Sequence, residues 1–236
     1  MNKVRTVSDT KREFYAHHTR PINSIYRRVV EELLVEMHLL SVNSEFKSDP
    51  IYCLGVFTSF YRLMQGYRPE QDKESIFSAL CQAVGNDPQQ YRTEAESALA
   101  LGERLSSAEE LVSWLQSPIP SPGEEKLAEA VAEISDNPHF KYSRLFAIGL
   151  YTLLEAAIPE DVKEEKKRNR ALEQLAEVLN LPAEKMMKDL EFYRGNLEKV
   201  EQLLKVLQET LEADRKKREQ REQEAQEKNE ASQSSD

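Results

Sequence analysis

The four histidines are the first candidates for acid–base chemistry or metal binding in this chain. A di-iron site in a helical bundle requires a glutamate and a histidine three residues apart on one helix. Glu36 and His38 are two residues apart, so they point to different faces of a helix. Asp136 precedes His139 by three residues, but Pro138 places both in a predicted turn. We therefore expect structural or solvated histidines, and no metal or other cofactor.

The two cysteines, Cys53 and Cys81, are the candidate nucleophiles. Spacing alone leaves open a cysteine activated by one of the histidines, but both cysteines lie in apolar helical patterns, where a thiolate is disfavoured. We expect buried structural thiols, which are typical of a reducing compartment. Adjacent acids such as Glu31 and Glu32 splay about 100° apart on a helix, so they do not form a carboxylate pair. The sequence also contains no glycine-rich phosphate loop.

Positive charge is concentrated at the start of the chain. Residues 1–30 contain seven Lys or Arg residues and two acids, a net charge of +5, whereas the whole chain has a net charge of −10. Three interpretations of this segment remain open: pairing with the chain's own acids, docking of an acidic partner or an anionic lipid surface, and nucleic-acid binding. Because the whole chain is acidic, we expect no nucleic acid. The candidate partner-binding residues are Arg20, Arg27 and Arg28.

Helix-forming residues dominate the composition, and only seven of the 236 residues are glycine. Apolar residues at spacings of three and four predict wide apolar stripes over residues 22–46, 50–65 and 140–157. We place these three helices at the centre of the core, with Phe57 as a core residue. Ser8 is predicted to cap a first helix that begins at the next residue. We expect no β-strand.

The last third of the chain predicts two helices joined at Leu181-Pro182. Apolar residues of the second helix alternate at spacings of three and four, which is the heptad pattern of a coiled coil. A helix over residues 160–180 is about 31 Å long, too short to cover the whole second helix. We therefore expect the end of the second helix to project and to dock a partner helix or a second copy of the chain. The candidate docking residues are Leu204, Leu207 and Leu211.

The predicted fold class is therefore all-α: a multi-helix globular bundle with a long C-terminal helix that forms a coiled-coil-like extension. Breaks in the pattern divide the chain into three regions. An all-helical globular domain occupies residues 1–158, and residues 159–230 form a helical hairpin that ends in the projecting helix. Residues 231–236, rich in serine, form a disordered tail.

Several segments of the chain resemble the thylakoid formation protein family. The residues that carry the resemblance are Thr6-Val7-Ser8-Asp9-Thr10-Lys11, the run from His18-Thr19-Arg20-Pro21-Ile22-Asn23 to Leu40, Asp49-Pro50-Ile51-Tyr52, and Phe60 with Met64-Gln65-Gly66-Tyr67-Arg68-Pro69. The similarity continues more loosely to about residue 155, and the helical tail is similar in kind. The resemblance thus covers most of the chain.

The resemblance implies a non-enzymatic auxiliary factor for photosystem II assembly and repair and for thylakoid membrane biogenesis, with no catalytic residues to transfer. It implies that the protein binds and supports an FtsH-type membrane protease complex, with photosystem II components as further expected partners. It also implies a peripheral position on the thylakoid membrane, on the cytoplasmic or stromal side, with a cytoplasmic soluble pool. The residues alone also allow a general coiled-coil scaffold, or an enzyme with an unrecognised site.

Overall fold

A computed structural model describes residues 5–233, with side chains described for residues 5–218 and 220. Within this part of the chain there are ten α-helices, one short 3-10 helix at Asp161–Lys163, and no β-strand. The α-helices are α1 Val7–His17, α2 Ser24–Ser41, α3 Pro50–Leu63, α4 Asp72–Ala83, α5 Pro88–Arg104, α6 Ala108–Gln116, α7 Glu125–Asp136, α8 Arg144–Ala157, α9 Glu165–Val178 and α10 Ala183–Gln233. The predicted all-α class and the predicted long C-terminal helix are thus confirmed.

Helix α1 begins two residues earlier than predicted. Thr6 Oγ1 accepts a hydrogen bond from the Asp9 backbone N–H at 3.2 Å, and Asp9 Oδ2 accepts one from the Thr6 N–H at 3.1 Å. This reciprocal pair is a capping box, which satisfies two backbone donors at once. Ser8 therefore lies inside the first turn, and the prediction that it caps the helix is wrong.

Helices α3 and α8 pack backbone to backbone at the centre of the core. A Cβ atom placed on Gly55 of α3 would lie 1.7 Å from the carbonyl oxygen of Leu145. One placed on Gly149 of α8 would lie 1.8 Å from the carbonyl oxygen of Ile51. Only glycine fits at these two positions, because any side chain would overlap the backbone of the other helix.

Helix α5, rather than α2, completes this centre. It packs extensively on both α3 and α8, whereas α2 contacts α3 less. The buried face of α5 includes Ala95, Ala98 and Gly102, and a Cβ atom on Gly102 would lie 2.8 Å from the Leu153 carbonyl oxygen. Small residues let two helices approach closely but give only a weak apolar stripe. The sequence predicts this helix over residues 88–104 but not its central position, and it places α2 at the centre instead.

Phe57 is less buried than predicted. Its ring is half-buried, 5.7 Å from the ring of Phe77, and the Arg92 guanidinium lies 5.9 Å from its centroid. The fully buried phenylalanine of α3 is Phe60, three positions further along. Because α3 is apolar almost all round, its sequence does not show which ring faces the charged neighbour.

The chain divides into two compact units, Met1–Arg194 and Gly195–Asp236. The predicted boundary at residue 158 falls within the first unit, which also contains the buried residues Met186, Leu190 and Tyr193 at the start of α10. Helix α10 continues to Gln233, so it includes the first three residues of the predicted tail. Residues 234–236 of that tail lie outside the described part of the chain.

Candidate functional site

An open groove of about 990 Å³, here called the α2 groove, lies along one face of α2. Helix α2 contributes side chains at spacings of four, three and four residues, which share a helix face. These side chains are Arg28, Glu32, Val35 and Leu39. The other walls are the segment entering α8, with Tyr142 and Arg144, and the first turns of α10, with Lys185, Asp189 and Phe192. All of these residues belong to the first unit.

Two large apolar side chains of the α2 groove are exposed. Leu39 is 57% exposed and Phe192 is 54% exposed. The Arg144 guanidinium lies 5.6 Å from the centroid of the Phe192 ring, a cation–π distance that favours one orientation of the ring. Exposed apolar groups surrounded by charged residues are typical of protein-binding surfaces.

The polar groups of the groove wall are paired with one another. Arg144 forms an ion pair with Glu36 at 2.5 Å, and the Tyr142 hydroxyl donates a hydrogen bond to Asp189 Oδ2 at 2.8 Å. Burial raises the pKa of Glu36, and burial together with the bond to Asp189 raises the pKa of Tyr142 well above its usual value. Because each of these groups has a partner, they fix the shape of the wall and do not form a reactive acid–base pair.

The structure separates the three arginines of the predicted basic cluster. Arg27 and Arg28 line the α2 groove, and Arg20 does not. Arg28 Nε pairs with Glu32 Oε1 at 2.8 Å. Arg20 Nη1 lies 2.7 Å from Oδ1 of Asp72, whose side chain is only 4% exposed. Among the described residues Arg27 forms no ion pair, so it is the member of the cluster whose charge is available to a partner.

The three candidate leucines lie on α10 in the second unit. Leu207 and Leu211 are exposed, and Leu204 is half-buried. Val206 is a further exposed apolar residue of this segment, which the heptad pattern does not include. The role of these side chains in docking stays a prediction.

Sequence reasoning missed Leu39 and Phe192. Leu39 directly precedes the buried Leu40, and Phe192 directly precedes the buried Tyr193. The sequence therefore does not show which residue of each pair is exposed. The sequence of α2 does contain one indication that Leu39 is exposed. Leu39 lies on the same helix face as the charged residues Arg28 and Glu32, and outside the buried stripe. That stripe is Tyr26, Val30, Leu33, Leu34, Met37 and Leu40.

Both cysteines and two of the four histidines are buried in the core. Cys53 and Cys81 are free and buried, as predicted, and burial raises the pKa of Cys81 to about 12 and that of Cys53 still further. His18 and His38 are also buried, and each has Nδ1 within hydrogen-bonding distance of a side-chain hydroxyl. Burial lowers the pKa of both histidines, which favours the neutral ring.

The described residues contain neither a metal-ion site nor a membrane-spanning helix. No group of three or more His, Cys, Asp or Glu side chains there has an arrangement that could bind a metal ion. None of the described helices combines the length and the hydropathy that a bilayer crossing requires.

Known proteins with similar sequences and structures agree with this architecture. Residues 6–222 match the family described as thylakoid formation protein. The chain is 59% identical to Protein Thf1 of Gloeothece citriformis over 216 residues, which cover 92% of this chain and 96% of that protein. It is 55% identical to Protein Thf1 of a Picosynechococcus species, with 92% and 85% covered. It is also similar to a solved structure of Psb29 at 1.55 Å, with a TM-score of 0.77, 45% identity, and 91% of this chain and 98% of that chain covered.

The matched region runs from the capping box of α1 well into α10 and includes both walls of the α2 groove. The family is named for thylakoid formation, and neither that name nor the name Protein Thf1 of the two relatives is that of an enzyme. The absence of an enzyme name agrees with the α2 groove, where Arg144 is paired with Glu36 and Tyr142 with Asp189. With a match over nearly the whole chain and relatives that are more than half identical to it, the chain belongs to the thylakoid formation protein family.

Proposed function

We propose that this protein is a non-enzymatic auxiliary factor for photosystem II assembly and repair and for thylakoid membrane biogenesis. It acts by binding and supporting an FtsH-type membrane protease complex, with photosystem II components as further partners. It lies peripherally on the thylakoid membrane surface, on the cytoplasmic or stromal side, with a soluble cytoplasmic pool. Family membership supports the thylakoid setting, and the α2 groove supports action by binding.

The exposure of Leu39 and Phe192 in a groove that Arg27 also lines is the observation that carries this proposal. Aromatic residues and arginine are enriched at the centres of protein interfaces, where a few anchors supply most of the binding free energy. Arg27 forms no ion pair with a described residue, so an acidic group of a partner can approach it. The complementary surface is an acidic segment of the protease with apolar side chains at its centre.

Loss of the two exposed apolar anchors tests the proposal. The full chain carrying Leu39→Gln and Phe192→Gln is immobilised and exposed to detergent-solubilised thylakoid membranes, and the bound FtsH-type protease is measured with an antibody. We expect the affinity for the protease to fall by about thirtyfold or more, because a single hot-spot side chain contributes about 2 kcal/mol or more. Both side chains are more than half exposed, so the melting temperature should change little.

The matched control is Ile25→Gln. Ile25 is an exposed apolar residue of the same helix, 49% exposed, and it does not line the α2 groove. This variant should retain the protease as the wild type does. Equal retention by the wild type and the double variant would reject the α2 groove as the binding surface.

The exposed apolar residues of α10 favour a second mode of binding. Leu207 and Leu211 are exposed at heptad spacing, which suits the apolar face of a second copy of the chain or a helix of a partner. Self-association through this segment would make the protein a scaffold as well as a binding factor.

A further inference from the structure

A second cavity, of about 500 Å³, lies between the start of α9 and the first turns of α10. It shares no residue with the α2 groove, and it lies entirely within the first unit. Helix α8 contributes Tyr151, α9 contributes Arg168 and Asn169, and α10 contributes Arg194. The proposed partner binding does not involve this cavity.

Arg168 is the central feature of the cavity. The residue is only 6% exposed, and its Nη1 donates a hydrogen bond to the Val162 carbonyl oxygen at 3.3 Å. Among the described residues it forms no ion pair. A guanidinium carries five N–H donors and a permanent charge, and buried charges in proteins are normally paired. One carbonyl contact is the hydrogen bond that the guanidinium makes to a described residue, so most of its donors are left without an acceptor there, and exposed Glu165 acts on its charge only from a distance.

Arg194 brings a second guanidinium to the same cavity. Burial, and after it the charge of Arg194, lowers the pKa of Arg168. Two cations that line one cavity repel each other unless an anion lies between them. Arg194, like Arg168, forms no ion pair with a residue in the described part of the chain. Lys163 also lines the cavity, but it is paired with Glu160 at 2.6 Å.

The start of α9 adds further positive potential. Its N-cap residue, Glu164, makes no side-chain hydrogen bond to the first turn. The first backbone N–H groups of the helix therefore lack a side-chain acceptor, and the helix dipole favours an anion at this end. Glu165 lies in this first turn of α9, and Glu191 lies on α10. Both residues line the cavity, and both are exposed. The buried residue of the cavity wall that carries a charge is thus a cation, Arg168. The two carboxylates of the wall belong to exposed residues.

We propose that the Arg168–Arg194 cavity binds a phosphate-type oxyanion, as inorganic phosphate or as the phosphate monoester of a lipid headgroup. The planar guanidinium matches two oxygens of such a group with parallel hydrogen bonds. The second arginine supplies a further charge-assisted bond, and the Tyr151 hydroxyl and Asn169 amide add neutral donors. Exposed Glu165 and Glu191 oppose a more highly charged ligand such as a polyphosphate.

Calorimetric titration of the full chain with inorganic phosphate, at constant ionic strength with chloride as the compensating anion, tests the proposal. We expect saturable heat and a rise in melting temperature with phosphate concentration, since a ligand of the folded state stabilises it. Arg194→Gln should weaken binding by about tenfold or more, because one charge-assisted contact is lost. Arg194 is half-buried, so this variant tests the site without emptying the core as Arg168→Gln would.

Arg170→Gln is the matched control, since Arg170 is an exposed arginine of the same helix that does not line the cavity. It should bind phosphate as the wild type does. Equal phosphate binding by the wild type and Arg194→Gln would overturn the proposal, as would the absence of saturable binding in both arms of the experiment.

The second arm uses vesicles of phosphatidylcholine with and without phosphatidic acid, the lipid that carries a phosphate monoester. Sedimentation with the phosphatidic acid vesicles that is lost in Arg194→Gln and displaced by free phosphate supports a lipid headgroup as the ligand. Saturable binding of free phosphate without vesicle binding supports the free anion.

Discussion

At the residue scale, the close approach of α3 and α8 depends on two glycines. The Cβ positions of Gly55 and Gly149 would each lie within 2 Å of a carbonyl oxygen of the opposite helix. That carbonyl belongs to the backbone, so it cannot turn away as a flexible side chain can. An added methyl group would overlap this carbonyl unless α3 and α8 moved apart. The residues around their crossing are fully buried, so that movement would disturb the core.

Gly149→Ala should therefore be strongly destabilising, by about 3 kcal/mol or more, because the added methyl group forces the two central helices apart. Gly195→Ala is the matched control, since Gly195 also lies inside a helix but its Cβ position has no neighbour within 4 Å. That change should be neutral or stabilising by up to about 1 kcal/mol. Urea unfolding followed by circular dichroism measures both. Similar midpoints for the two variants would contradict the backbone-to-backbone packing.

Exposure of single apolar residues was the least predictable property at this scale. Phe57 and Phe60 lie three positions apart on a helix that is apolar almost all round, yet only Phe60 is fully buried. The difference comes from Arg92 on α5, which the chain brings over Phe57 only when the core is assembled. Leu39 and Phe192 were missed for the same reason, because local sequence does not show which neighbours cover a side chain.

At the element scale, most helices were predictable because their signals are local. Asp49 accepts a hydrogen bond from the Tyr52 N–H at 2.9 Å with Pro50 in the first turn, as the Asp-Pro pair predicts. The position of α5 was not predictable in this way. Its small residues matter because they let α3 and α8 approach α5 closely, and the local sequence does not show that contact. The wide apolar stripe of α2 therefore predicts a more central position for α2 than the structure has.

The predicted docking segment of α10 gives the element-scale prediction. Replacing Leu204, Leu207 and Leu211 with Gln should leave the melting temperature nearly unchanged, because Leu207 and Leu211 are exposed and no core is emptied. Association should weaken, since the apolar face that another helix would cover is lost. Light scattering after size-exclusion chromatography, over a range of protein concentrations, measures the oligomeric state of both proteins.

Gln208→Ala serves as the control for this triple change, because Gln208 is an exposed polar residue of the same helix. It should associate as the wild type does. A wild type that is monomeric at all concentrations, and a triple variant that retains the protease fully, would together exclude this segment as a docking surface.

At the scale of the whole molecule, the asymmetry of charge is smaller than the sequence count indicates. Residues 1–30 carry +5 in a chain of −10, so the remaining residues carry −15. In the folded protein Lys11, Arg12, Arg20 and Arg28 all form ion pairs with carboxylates. Pairing with the chain's own acids thus accounts for much of the basic segment. Among the described residues of this segment, Arg5 and Arg27 form no ion pair, and Arg27 is the one of these two that lines the α2 groove, so we expect long-range attraction to an acidic surface to depend strongly on Arg27.

We therefore predict opposite phenotypes for two arginines that look equivalent in the sequence. Arg27→Gln should weaken sedimentation with anionic liposomes at low salt and leave stability unchanged; the difference from wild type should fade near physiological ionic strength, where the screening length is about 8 Å. Arg20→Gln should retain liposome binding but lose about 2 kcal/mol of stability, because it leaves the buried carboxylate of Asp72 without its partner. Liposome sedimentation at two salt concentrations and urea unfolding measure both effects. If both variants bind liposomes like the wild type at low salt, the basic segment serves the fold alone and membrane association must depend on another surface.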